Sequence, residues 1–419
     1  MKHTVKFIPL ALVGLAATPT QAAEGLQFHG YARAGAGLNP SGGGQVCFQL
    51  AGADVKWRLG NECDYVIEPN FNYDILTLDD KSTWGFHVMP SIYKAYEPQG
   101  SLVRDDAGAA IGTASWFDDL PVRFGQIYFY GKNVPLLRNG TIWIGRRFYD
   151  RLQLGINDQF VENEDGDGAG VEDVDVGFAK WSIAFLMNPN DTPRTTAEAN
   201  PVGDVNNKVF KITTRFTNIR TVKDGALQVW AAARNLQSKS TRPAGAEPAE
   251  VDTTYRVGVY HSLVLGRWGS NLTGFKFETL ADDANLWRVF TQQGMTLFAA
   301  RTALDFIAEY RRTSPDTGDD QSWFAVGARA DTHLTGLLRF LLEAGYDWVD
   351  DADSRNLTKV TAALAMSPGR EASVRPTFRL FYTHGFWSDE GVLASARTND
   401  VYGDDTSGGS FGLQAEGWW

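Results

Sequence analysis

Beyond its first two dozen residues the chain has no run of eighteen apolar residues, which excludes a transmembrane helix. That absence leaves a membrane barrel open, because a barrel strand crosses with about ten alternating residues, a signal that averaging erases. Positive charge is also scarce. With 39 Lys and Arg against 50 Asp and Glu the formal charge is −11, and phosphate contacts need clustered cations, so nucleic acid is no partner. The six histidines are scattered, none of them in an H-E-x-x-H zinc helix, and a Walker loop is missing. Acidic pairs such as Asp118/Asp119, Asp319/Asp320 and Asp350/Asp351 lie in turn-rich stretches and read as solvated turns rather than a glycosidase pair. The run NEDGDG (163–168) lacks the ligand spacing of an EF-hand. The expectation is a protein that is not an enzyme and needs no cofactor or metal.

Cysteine is nearly absent too, with Cys47 and Cys63 the two in the chain. Lys2 and Lys6 precede an apolar run from Phe7 to about Ala17, followed by small residues at Thr20-Gln21-Ala22, the pattern of a secretory signal. Cleavage after Ala22 is expected, leaving 23–419 as one domain and shifting the formal charge to −13 as Lys2 and Lys6 are lost. In an oxidising compartment the two cysteines are expected to pair; a zinc site lacks further ligands nearby.

What the chain does have is 43 Gly, 25 Phe, 14 Tyr and 13 Trp, and alternation. In the terminal SFGLQAEGWW, Phe411, Leu413, Ala415, Gly417 and Trp419 share one parity, while Ser410, Gly412, Gln414, Glu416 and Trp418 share the other. Period two with one apolar and one polar face describes a strand between lipid and a watery lumen. Near the start, Phe28, Gly30, Ala32, Ala34 and Ala36 alternate with His29, Tyr31, Arg33 and Gly35, which turns Tyr31 and Arg33 inward. Similar runs recur at 55–60, 123–130, 141–145, 209–216, 337–348 and 375–383, separated by Asp/Asn/Gly/Pro-rich turns. Residues 293–311 fit a helix or strands. Strands from end to end with no linker predict an all-β transmembrane antiparallel barrel, whose closure removes exposed sheet edges.

Five segments resemble the maltoporins, sugar-specific porins of the Gram-negative outer membrane: FHGYARAGAG (28–37), the CFQ…KWRLGNEC run (47–63), IWIGRRFYDR (142–151), GAGVEDVDVGFAKWS (168–182) and SFG…WW (410–419). Weaker likeness lies in 325–349 and 375–381, while 185–320 matches poorly. The resemblance implies about 18 strands, an inward-folded loop that constricts the pore, a homotrimer, and a setting among outer-membrane lipids. It also implies passage of maltose and maltodextrin-type oligosaccharides along a row of aromatic rings beside a polar track. That chemistry is sound, since a pyranose has apolar C–H faces that stack on rings and a rim of hydroxyls that hydrogen-bond.

By resemblance, Tyr31 and Trp418 fall on two rings of the slide, Trp116 on the ring that reaches a neighbouring subunit's pore, and Phe160 on the constriction ring. Arg33, Arg58, Glu68, Arg151 and Asp158 map onto the polar track. The pattern departs at Val66, Ser373 and Val257, where the family has rings; parity turns Val257 outward and makes Tyr260 the candidate there. Phe160 stands where the family has a tyrosine. Those departures keep open a porin for another sugar, such as a sucrose-like disaccharide, or a less selective pore. A secreted all-β carbohydrate-binding protein is the reading from a different class.

Overall fold

The computed structural model describes residues 25–96, 102–104, 110–113, 122–188, 208–237, 251–280, 284–297, 301–389, 392–394 and 401–419. The leader and Trp116 lie outside the described residues. The barrel strands are β1 (Leu26–Leu38), β2 (Asp64–Thr77), β3 (Thr83–Ala95), β4 (Val122–Val134), β5 (Gly140–Arg147) and β6 (Gly166–Asp175). They continue as β7 (Lys180–Asn188), β8 (Lys208–Arg220), β9 (Gly225–Gln237), β10 (Val251–Val264), β11 (Ser270–Thr279) and β12 (Asn285–Leu297). The circuit ends with β13 (Thr302–Ser314), β14 (Gln321–Thr335), β15 (Leu338–Asp350), β16 (Ser354–Met366), β17 (Thr377–Trp387) and β18 (Ser407–Trp418). All belong to one 18-stranded sheet, and β1 pairs antiparallel with both β2 and β18, so the sheet closes on itself.

The alternation read from the sequence is the alternation of the wall. On β18, Phe411 and Leu413 are exposed on the outside while Gln414 and Glu416 are buried inside. Outside, Phe28 stacks on Phe71 and packs against Trp419. Residues 293–311 resolve into the end of β12 and most of β13, paired antiparallel, so their period is strand and not helix. One expected strand is absent: 55–60 carries no ladder and belongs to the segment 39–63 between β1 and β2. Its alternating apolar residues answer to a buried loop packed on the inner wall, which imposes the same in-out pattern as a sheet face.

Connections at the end of the barrel that carries both chain ends are short, from 336–337 up to 367–376, whereas 39–63 and 148–165 join strands at the other end. Both of these long segments fold into the barrel. A cluster of buried residues joins Phe48, Leu50 and Trp57 of the first loop and Leu154, Ile156 and Val161 of the third to wall residues including Tyr260, Phe290 and Trp323. Trp57 lies in a slot between strands, where a Cβ on Gly327 or Gly345 would fall 2.3 or 2.0 Å from its ring. Its Nε1 donates to Asp347 Oδ2 at 2.7 Å. Cys47 and Cys63 are bonded as a disulfide that closes the first loop.

Candidate functional site

The inner face of the closure seam holds the first group of expected site residues. Tyr31 stands in register with Trp418 on one side and with Glu68 on the other. Its hydroxyl donates to Glu416 Oε1 at 3.0 Å. Glu416 also accepts from Arg58 Nη2 at 2.9 Å, from Arg379 Nη2 at 2.6 Å and from Arg375 Nη2 at 3.4 Å, so one buried carboxylate gathers a phenol and three guanidiniums. Burial works against the charge of Arg58, yet Glu62 and Glu416 hold its guanidinium above its ordinary range. Arg33 is 6 % exposed, held by Glu62, Asp64 and the Tyr31 hydroxyl, and so lies beneath the luminal surface as a support. Glu68 accepts from Ser91 Oγ at 3.1 Å. Val66, where a ring was expected, is a buried aliphatic.

The second group sits on the third loop, whose hairpin pairs Leu152–Leu154 with Gln159–Glu162. Along 151–156 the period is again two: Leu154 and Ile156 are buried against the wall while Arg151, Gln153 and Gly155 are exposed. Arg151 Nε donates to Asp165 Oδ1 at 2.8 Å, and its guanidinium lies 3.4 Å from the centre of Phe148 and 5.0 Å from that of Phe160. Asp158 takes a left-handed turn (φ 57°) and accepts from Gln153 Nε2 at 2.6 Å. Phe160 is exposed. Tyr260 points inward as parity required, but it is fully buried under this loop, bonded to Glu162 and packed between Trp230 and Phe290. It is a strut and not an accessible ring.

The two groups meet where the Arg58 N–H donates to the Ile156 carbonyl at 3.2 Å. Beside that contact is a luminal cavity of about 240 Å³, lined by Arg58, Gly155, Trp418, Arg329, Asp331 and Arg375 among others. Trp418 is 43 % exposed there. Arg329, Asp331, Arg375 and Arg379 were missed from the sequence. The inward parity of 325–335 and 375–381 held the signal, but without a partner strand an inward charge cannot be told from any other. Two larger grooves, about 610 and 700 Å³, lie on the outer wall among residues including Ile144 and Phe185 and have no part in a pore.

The model of the LamB porin family matches residues 26–419. The chain belongs to the LamB porin family. Among solved structures, it resembles a BenF-like porin from Pseudomonas fluorescens Pf-5 (10 % identity, 94 % of this chain and 99 % of that one, TM-score 0.52). It also resembles Pseudomonas aeruginosa OpdK solved with vanillate (9 %, 94 % and 99 %, 0.51) and Pseudomonas aeruginosa OccD3, or OpdP (10 %, 94 % and 91 %, 0.50). At such identity these likenesses speak for the barrel. This LamB-family porin is a passive outer-membrane channel.

Proposed function

We propose that this porin passes sugars, with linear α-glucan oligosaccharides of the maltodextrin type as its solutes. The observation that carries the reading is the luminal cavity where the exposed indole of Trp418 adjoins ion-paired carboxylates and guanidiniums. An amphipathic solute matches that surface, with a C–H face for the ring and hydroxyls for the charges. Charges that already satisfy one another hold no deep well for a counter-ion, and transport needs weak, repeated binding. Tyr31, Trp418 and Phe160 supply rings in this reading, and Trp116 would add one from a neighbour. Arg58, Arg151 and Asp158 supply polar contacts, with Arg33 and Glu68 supporting them. The homotrimer and the removal of the leader after Ala22 belong to the same proposal, and native mass spectrometry in detergent and N-terminal sequencing test them.

Single-channel conductance in a planar bilayer, titrated with maltose through maltoheptaose, is the deciding experiment. Block that tightens with chain length is expected. Open channels indifferent to maltodextrins would move the proposal to another sugar, which the buried Val66 and the missing ring at Ser373 favour as the second reading.

A further inference from the structure

Trp418 does not stand alone at the cavity. The Arg375 guanidinium carbon lies 3.6 Å from the centre of its ring. Of the two side chains the arginine is the covered one, 11 % exposed against 43 % for the tryptophan. Both residues line the cavity, so the guanidinium covers one face of the indole within it. Its own partners cover most of the guanidinium, and the remainder of the ring stays open.

Arg375 is also unusually well fixed for a residue in a turn. Its Nη1 donates to the carbonyls of Ala372 and Val374 at 2.7 and 3.1 Å, and its Nη2 reaches Glu416 Oε2 at 3.4 Å. The turn 367–376 is clamped in its own right. Arg339 Nη1 donates to the Arg370 carbonyl at 2.7 Å, and Ser367 Oγ to the Val374 carbonyl at 2.9 Å. Glu416 therefore ties Arg375 to Tyr31, the register partner of Trp418.

We infer that Arg375 is a positioning residue for solute passage: stacked on one face of Trp418, it fixes the indole in the cavity and leaves the uncovered face to a neutral pyranose. The inference rests on the reading of Trp418 as a sugar platform. It also refines the solute class. A cationic sugar on the free face would bring its ammonium within roughly 7 Å of the guanidinium across the ring, so amino-sugar oligomers are disfavoured relative to neutral glucans. Without the stacked guanidinium the indole is free to change rotamer, and the platform is lost even though the ring remains.

The test is maltohexaose block of single channels by the full-length protein, comparing Arg375→Ala, Arg375→Lys, Trp418→Ala and the Arg375→Ala/Trp418→Ala double variant. Each is first checked for the heat-modifiable gel mobility of a folded barrel. Arg375→Ala is expected to weaken block roughly three- to tenfold through faster release, with open conductance no lower, as befits loss of a stacked cation. Arg375→Lys, keeping charge but losing the plane, recovers part of the loss. In the Trp418→Ala background the arginine substitution adds nothing further. Unchanged or tighter block in Arg375→Ala, or a loss that simply adds to that of Trp418→Ala, would overturn the inference and leave the sugar channel standing. If Trp418→Ala itself leaves block unchanged, the platform reading falls first and the inference with it.

Discussion

The first and third loops both fold into the barrel and are both strapped to its wall, but they differ in what they leave open. The first, 39–63, spends most of its polar groups as straps, with Arg58 reaching the cavity. Asp54 is held by Arg288 and Arg311, the Ala51 carbonyl by Arg355, and the Leu59 carbonyl by Lys359. With Trp57 in its glycine slot and the disulfide at its base, this loop is mostly barrel interior. The third loop has straps of its own, with Asp150 held by Arg215, Glu162 by Arg256 and Glu164 by Arg234, yet it keeps Arg151, Gln153 and Phe160 exposed. The comparison teaches that inward folding alone does not make a loop selective. What differs between the two is how many side chains are spent on the wall and how many stay exposed.

Trp57→Ala is the sharpest way to break that contrast. It removes a buried indole, leaves Asp347 without one donor and opens a cavity, for an expected loss of about 3–5 kcal/mol in the urea unfolding of the detergent-solubilised barrel. Whatever folded channel remains should keep its order of sugar preference. A variant of normal stability with altered sugar preference would show that the first loop selects.

Arg151→Ala addresses the other side. The Arg151–Asp165 pair is partly open to water, so stability should move by about 1 kcal/mol or less. Removing a luminal cation should shift the reversal potential in a salt gradient toward cation preference. An unmoved reversal potential would place the third loop outside the conducting path.

Phe160→Tyr restores the hydroxyl that the resemblance leads one to expect. One added hydrogen bond to a sugar hydroxyl corresponds to roughly two- to fivefold tighter maltodextrin block with conductance nearly unchanged. No change would mean that passing sugars do not reach the outer rim of that ring.

Much of the barrel was legible because its physics is local. A strand between lipid and water must alternate, so Trp419 against Trp418 and Val257 against Tyr260 could be sorted by counting. The same rule misled at 55–60, because a loop pressed on an inner wall alternates for the same reason as a strand. Parity also could not separate an inward ring that solute can reach from one beneath a loop: Trp418 is open, Tyr260 is sealed. Likewise Arg33 and Arg58 look alike in sequence, yet Arg33 is closed between two carboxylates whereas Arg58 reaches the cavity.

The amino-acid sequence by itself determined the closed all-β wall and the inward parity of Tyr31 and Trp418, since each follows from the period of side chains along a single strand. Exposure and pairing are properties of groups brought together from far apart in the chain. Glu416 meets Tyr31 across 385 residues and Arg58 across 358, and Trp57 finds its slot 290 residues away at Asp347. Tertiary structure alone decided which charges neutralise one another, which rings stay open, and that Arg375 stacks on Trp418. No local pattern encodes the neighbour that barrel closure supplies.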